Sequence, residues 1–309
     1  MAPSLLGLGR GRPGAILVAM QEQQMVRAGH VLRRVGAAAI ASGLQPADNL
    51  RVTLSHHVPR AQFDNFARLV DQLCAERTVI SGDEVVTTYA EPSAHGTQGK
   101  RLALTFDDGL LSSFEAAQSI LNPRGIKAIF FVPTMILELA SPDQMRDFFR
   151  HNIYRQDSGV LPPDRYLTMS ATHLRELHDQ GHTIAPHTHS HASLRCVTSS
   201  EDIDRELRMP KQLLEDLLQT SVKAFAFPTG TERVVDGISY GAVQRLYSVC
   251  FTGLGGVNTA ATSRHCLYRD CVHPHYAPDH VANVTAGAFD LYYGLKMRRL
   301  KRRVQIQPG

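Results

Sequence analysis

Between residues 50 and 271 short apolar runs alternate with stretches of helical period, and no other feature restricts the fold as much. The pattern predicts strands over 50–55, 101–106, 126–132, 182–186, 223–227, 247–251 and 267–271. It predicts a helix over 60–77, with Phe63, Phe66, Leu69, Val70 and Leu73 on one face. A second helix has Ser112 as its cap and stops at Pro123-Arg124-Gly125. A third starts at Ser170 or Thr172 and ends at Gly181. A fourth starts at Ser200, carries Glu201 and Asp202 in its first turn, and should kink at Pro210. Residues 138–168 read as an irregular insertion with a short helix. The run 126–132 is almost wholly apolar, as in a strand buried on both faces. Strands alternating with helices imply an α/β chain built on a parallel sheet, open or closed into a barrel. In such folds the reactive groups gather at the C-terminal ends of strands.

That rule selects four polar clusters. Thr105-Phe106-Asp107-Asp108-Gly109 closes the strand over 101–106. Two adjacent carboxylates are costly to desolvate together. A metal ion on one of them solves this and leaves the other for proton transfer, although Asp-Asp-Gly is also an ordinary turn. His187-Thr188-His189-Ser190-His191 follows the strand over 182–186. If this stretch is helical, His187 and His191 share one face and reach one metal, with His189 turned away. One Asp and two His leave a coordination position open, as a catalytic site requires. Phe225-Ala226-Phe227-Pro228-Thr229-Gly230 runs from a strand into a turn, where the Thr229 amide is either an oxyanion donor or part of a plain loop. Ser55-His56-His57-Val58 ends the first strand, and either histidine is a candidate acid or a structural residue.

Taken in chain order, these residues resemble the polysaccharide deacetylase family, the NodB-homology domain of carbohydrate esterase family 4. The resemblance rests on TFDDG at 105–109, GHTIAPHTHSHASL at 181–194 and FAFPTG at 225–230, with RYLTMSATHLRELHDQGH preceding the His motif, and spans roughly 50–272. It implies a distorted, incomplete (β/α) barrel and hydrolysis of N-acetyl groups on the amino sugars of a glycan, as in cell-surface or exopolysaccharide metabolism. It makes Asp107 the catalytic base, and Asp108, His187 and His191 the ligands of one divalent metal, with zinc first and cobalt or nickel as alternatives. It makes the Thr229 amide the oxyanion donor. Two departures stand out: Ala226 occupies a position where many members carry Arg, and no C-terminal Leu-x-His motif is present. A permuted subgroup resembling poly-N-acetylglucosamine deacetylases carries its acid on the first strand in a Tyr-His-x-Val motif, which makes His56 the acid here, with Ser55 in place of Tyr. In that subgroup an Arg on a late strand replaces the missing one, which points to Arg269 as the group that orients Asp107. Cys266, Cys271, His273, His275 and His280 match no standard zinc spacing and read as loop residues near the barrel rim, with His273 or His275 a reserve acid. A different C–N hydrolase on the same scaffold, such as a deformylase or a small sugar-conjugate deacetylase, and a non-catalytic glycan-binding relative are the alternatives.

Charge divides the chain differently. The net charge is +4, but residues 1–48 hold five Arg against Glu22 and Asp48, and residues 296–303 hold six basic residues and no acid, so the body between is acidic. The division is a basic N-terminal extension over 1–48, flexible around 7–14 and helical over 21–42, a deacetylase-like domain over 49–290, and a basic tail over 291–309. The tail is either a solvated end or a peripheral contact to anionic lipid through 296–303. A membrane-associated assembly protein working through those basic ends is the reading from another class. RNP aromatics and zinc-finger spacing are lacking, so nucleic acid is not an expected partner; the oligomeric state is not legible. Five cysteines argue against a disulfide framework and for a reducing compartment. No apolar run approaches the ~18 residues of a membrane span, and 15–20 is too short for a secretory core. The expected location is the cytoplasm, at the inner membrane surface if the basic end binds lipid.

Overall fold

The structure, a computed structural model, describes residues 46–91, 99–154, 161–233 and 237–304. The expected N-terminal helix over 21–42 and the Gly/Arg-rich stretch over 7–14 lie outside the described residues.

The main sheet is parallel, in the order β5-β4-β3-β1-β8. These strands are β1 (Asn49–Ser55), β3 (Lys100–Phe106), β4 (Ile129–Val132), β5 (Thr183–Pro186) and β8 (Asp270–Cys271), with the two-residue β2 (Thr78–Val79) beside the start of β3. β6 (Ala224–Ala226) and β7 (Val249–Phe251) form a separate parallel pair. A lone parallel bridge, Phe251 to Leu267, approaches the other edge, and β5 and β6 share no ladder. The strands therefore follow a barrel path that does not close. All four residues of β4 are buried, as its unbroken apolar run predicts. Phe106 and Phe130 stack with ring centroids 5.0 Å apart on the sheet face that meets Phe66, and Phe131, on the opposite face of β4, meets Phe251 of the smaller pair at 5.2 Å.

Helices surround the strands for reasons visible in their sequences. Phe63–Glu76 buries Phe66, Leu69, Val70 and Leu73 on one face, after a 3-10 turn over Arg60–Gln62. Ala171–Asp179 is capped by Ser170, and Ser200–Ile203 by Ser199 rather than Ser200, because the hydroxyl must precede the first turn to accept from its free amides. Ser112 caps nothing: the helix Leu111–Ala116 begins one residue earlier, and the Ser112 hydroxyl sits 3.0 Å from Nδ1 of His57. Where Pro210 predicts a kink, a π-helical stretch, Asp204–Arg208, precedes it and leads into the helix Met209–Leu218.

The basic segment is not a tail. Asp290–Val304 is a helix that buries Met297, Leu300 and Val304 and turns Arg298, Arg299, Arg302 and Arg303 to solvent. The apolar residues recur at i, i+3 and i+7, which is the spacing of one docked face. Its first residue holds it to the sheet. Asp290 accepts at 2.8 and 2.6 Å from the guanidinium of Arg51, a wholly buried residue of β1 that also donates to Asp270 of β8 at 3.1 Å. Among the described residues no helix is long and apolar enough to cross a membrane.

Candidate active site

Parallel register brings the strand ends to one rim. Ser55 pairs with Phe106, and Val132 with Pro186. The residues that follow, His56, Asp107 and His187, therefore emerge together, and with His191, Thr229 and Arg269 they line one cavity of about 880 Å³.

The backbone at this rim is unusual. Asp108, Thr188, His191 and Thr229 all have positive φ, at 71°, 62°, 59° and 57°. Among the described residues only one other non-glycine, Gln219, shares that conformation, so four of the five lie in the strand-end motifs. The His segment is not helical, contrary to the i, i+4 expectation. Left-handed turns at Thr188 and His191 do the same work, bringing the two rings to 5.0 Å between centroids. His189 turns away, to Thr134 at 3.0 Å. Gly230 is required where it stands: at φ 52° a Cβ would lie 2.0 Å from the amide nitrogen of Gly253.

The side chains build a candidate metal pocket and a fixed carboxylate. His187 Nδ1 donates to the Ala226 carbonyl at 2.8 Å, and His191 Nδ1 to the Asn152 carbonyl at 3.2 Å. Each ring is thereby oriented with Nε2 toward Asp108, at 3.9 and 3.5 Å from its Oδ1. That Oδ1 is buried and accepts no hydrogen bond. A buried carboxylate oxygen without a partner, faced by two imidazole nitrogens, is a donor set that a divalent cation satisfies. Burial raises the Asp108 carboxyl above the ordinary range, and burial lowers the His187 imidazole to about 4, which keeps that ring neutral at physiological pH.

Asp107 is held differently. Arg269 grips both its oxygens, at 2.7 and 2.9 Å, and donates through Nε to the Thr252 carbonyl at 2.7 Å. Burial alone would raise the Asp107 carboxyl; the Arg269 charge and its hydrogen bonds to the carboxylate outweigh it and hold the group below the usual carboxylate range. The two neighbouring aspartates are thus pushed in opposite directions by their surroundings.

Residues 94–236 match the polysaccharide deacetylase family. Over that segment the chain is similar to polysaccharide deacetylases. Comparison with the curated proteins finds no match. Among solved structures, the chain is similar to the Streptococcus pyogenes deacetylase PplD, with 18% identity, 78% of this chain and 99% of that chain covered, and a TM-score of 0.59. It is similar to IcaB from Ammonifex degensii at 20% identity, covering 78% and 97% with a TM-score of 0.59. The BpsB deacetylase domain from Bordetella bronchiseptica aligns at 18% identity over 74% and 98%, with a TM-score of 0.54. At these identities the likeness is one of fold, and it extends well beyond the matched segment.

Within the matched segment and its flanks, the structure brings together Asp107, Asp108, His187, His191, His56, Thr229 and Arg269 around one cavity. His56 faces it half-buried, whereas His57 is buried, bonded to Ser112 and within 3.4 Å of Asp164. Ser55, in the position where Tyr was expected, donates to the Val272 carbonyl at 2.8 Å. Sequence reasoning missed the supports. Asn152, on the π-helical stretch Phe149–Tyr154, donates to the Ser190 carbonyl at 2.8 Å as well as accepting from His191. Buried Glu206 accepts from the Ser190 amide at 2.9 Å and from its hydroxyl at 3.0 Å. Tyr154 and Arg165, from the insertion over 138–168, line the cavity. Only the length of that insertion pointed to them, because loops that shape a pocket carry no periodic signal.

Proposed function

We propose that the chain hydrolyses N-acetyl groups on amino-sugar residues of a glycan, with one divalent metal, zinc first, held by Asp108, His187 and His191. The observation that carries this reading is the pairing of an ionised, clamped Asp107 with a metal-shaped pocket whose Asp108 Oδ1 is otherwise unsatisfied. The S. pyogenes structure, described as a deacetylase in complex with acetate, supports the same reaction class. When bound, zinc supplies Lewis-acid polarisation of the amide carbonyl and a lowered water pKa.

The residues of the chain divide the remaining work. Asp107 accepts a proton from the attacking water, and the bidentate clamp of Arg269 keeps that carboxylate charged and aimed. The Thr229 amide donates to the developing oxyanion. His56 donates a proton to the leaving amine, which departs poorly unless protonated. Tyr154 and Arg165 set which sugar fits the cavity.

The test measures metal content and acetate release from N-acetylglucosamine oligomers on one purified sample. One metal per chain with acetate release is expected, and Asp108→Ala and His187→Ala should lose both. Stoichiometric metal retained in both variants overturns the ligand assignment; metal without acetate overturns the acyl group or the sugar.

The outward face of Asp290–Val304 supports a second contact. Leu291 and Leu295 are more than half exposed beside four solvent-facing arginines. We infer that this face meets an anionic bilayer surface, apolar residues at the headgroup boundary and arginines against lipid charge.

A further inference from the structure

The cavity rim carries a second group of metal-ligating side chains that shares no residue with the first. Donor atoms of His56, Cys271 and His273 all lie within 4.8 Å of one another. Strand register explains the meeting. β1 and β8 run parallel with Leu54 opposite Cys271, so His56 and His273, each two residues farther on, leave the sheet side by side. Their rings stack with centroids 6.0 Å apart at 21°. Cys271 Sγ lies 3.3 Å from His273 Nε2. A thiolate sulfur and an imidazole nitrogen on one tetrahedral zinc, at bond lengths of roughly 2.3 and 2.0 Å, stand about 3.5 Å apart. The existing contact is therefore within a few tenths of an ångström of ligation geometry.

One thiolate and two imidazoles are soft and borderline donors, a set that selects zinc over magnesium or calcium. All three residues are half-buried, and all three line the same cavity as Asp107 and Asp108. Three protein ligands leave the fourth position to water from that cavity. Spacing within 266–280 hides the site, because its third ligand, His56, is more than 200 residues away in the sequence.

We propose that Cys271, His56 and His273 form a second zinc site, and that zinc bound there inhibits the enzyme by occupying the nitrogen with which His56 protonates the leaving amine. Binding replaces the thiol S–H bond with a zinc–sulfur bond and releases the proton to solvent. The inhibitory half rests on the proposed acid role of His56; the site itself does not.

The experiment titrates the chelator-stripped full chain with Co²⁺ and reads sulfur-to-cobalt charge-transfer absorption in the near ultraviolet. The first site has no sulfur ligand, so this band reports the second alone. The band is expected in the wild type and in Asp108→Ala, is absent in Cys271→Ser, and in His273→Gln requires about ten-fold more cobalt. Under excess Zn²⁺ the wild type should hold two zinc ions per chain and Cys271→Ser one; without added zinc each holds only the one of the first site. Excess Zn²⁺ should suppress acetate release about ten-fold or more in the wild type, and should leave Cys271→Ser at that variant's own rate without added zinc. A wild-type band that is missing, or that survives in Cys271→Ser, overturns the site. A band present with turnover indifferent to excess zinc overturns the inhibition. A band present with no acetate release under any condition leaves the site standing and removes the deacetylase reading beneath it.

Discussion

Asp107 and Asp108 are adjacent in sequence and both nearly inaccessible, yet they are given opposite electrostatic surroundings. The difference comes from one arginine 162 residues away. Replacing Asp107 by Asn should leave metal content intact and lower kcat by about 10²–10⁴-fold, the usual worth of a proton-transfer group; acetate release and metal analysis on the same sample check it. Arg269→Met strands a buried carboxylate, so we expect a loss of about 3–5 kcal/mol in denaturant titration, with part of it recovered in the Asp107→Asn/Arg269→Met double variant. Additive losses would show that the pair is not coupled. The carboxylates and the histidine pair were legible in sequence because their chemistry is unusual at strand ends; Arg269 was reached only through the family resemblance. Asn152 and Glu206 were not, because an amide or carboxylate that props a loop looks like any surface residue until the fold places it.

Elements were legible in proportion to their apolar contrast. All seven expected strands appear, each near its predicted position, because apolar runs of that length are scarce elsewhere in the chain. The helices Gly82–Ala90 and Gly237–Leu246 went unread because Thr, Gly and Ser interrupt their apolar faces, and Pro278–Thr285 because it is short and carries only Val281 and Val284 as large apolar residues. The His turn was misread for a different reason: a shared side of the chain can come from left-handed residues as well as from helical period. At Gly230, alanine would be strained at φ 52° and would strike Gly253, so Gly230→Ala should lower both turnover and melting temperature. Unchanged kinetics would show that the loop shape is dispensable. The join between β4 and β5 gives a pH prediction. His182 accepts from the Ala128 amide at 3.0 Å and donates to Asn122 at 2.9 Å, and burial, aided by Lys127, lowers its imidazole to about 4. The unfolded chain takes up that proton near pH 6.5 and the folded chain only near 4, so stability falls as pH drops between those values. The shift is worth on the order of 3 kcal/mol. Denaturation midpoints of His182→Gln should fall less steeply over that window than those of the wild type.

At the scale of the molecule, chemistry and fold have different boundaries. The family match ends at residue 236, whereas His56 precedes it and Arg269 follows it. The match therefore contains the proposed metal ligands and base but neither the proposed acid nor the clamp. The helix Asp290–Val304 belongs to the same unit, so removing it to test lipid binding would also strip core residues. Charge reversal is the cleaner probe. Arg298→Glu/Arg302→Glu should abolish co-sedimentation with anionic vesicles while leaving the melting temperature within a degree or two, since both side chains are exposed. Binding that persists removes the membrane contact.

Arg51 belongs to the first strand described, and its carboxylate partners lie 219 and 239 residues later. At roughly 5–20 residues per second a ribosome needs on the order of tens of seconds to deliver Asp290 after Arg51. Until then β1 carries a cation that the finished interior excludes from water, and its place beside β3 cannot be sealed. The opening strand of this barrel waits on its closing helix, so the chain completes its fold after synthesis of Asp290, not progressively as the strands emerge.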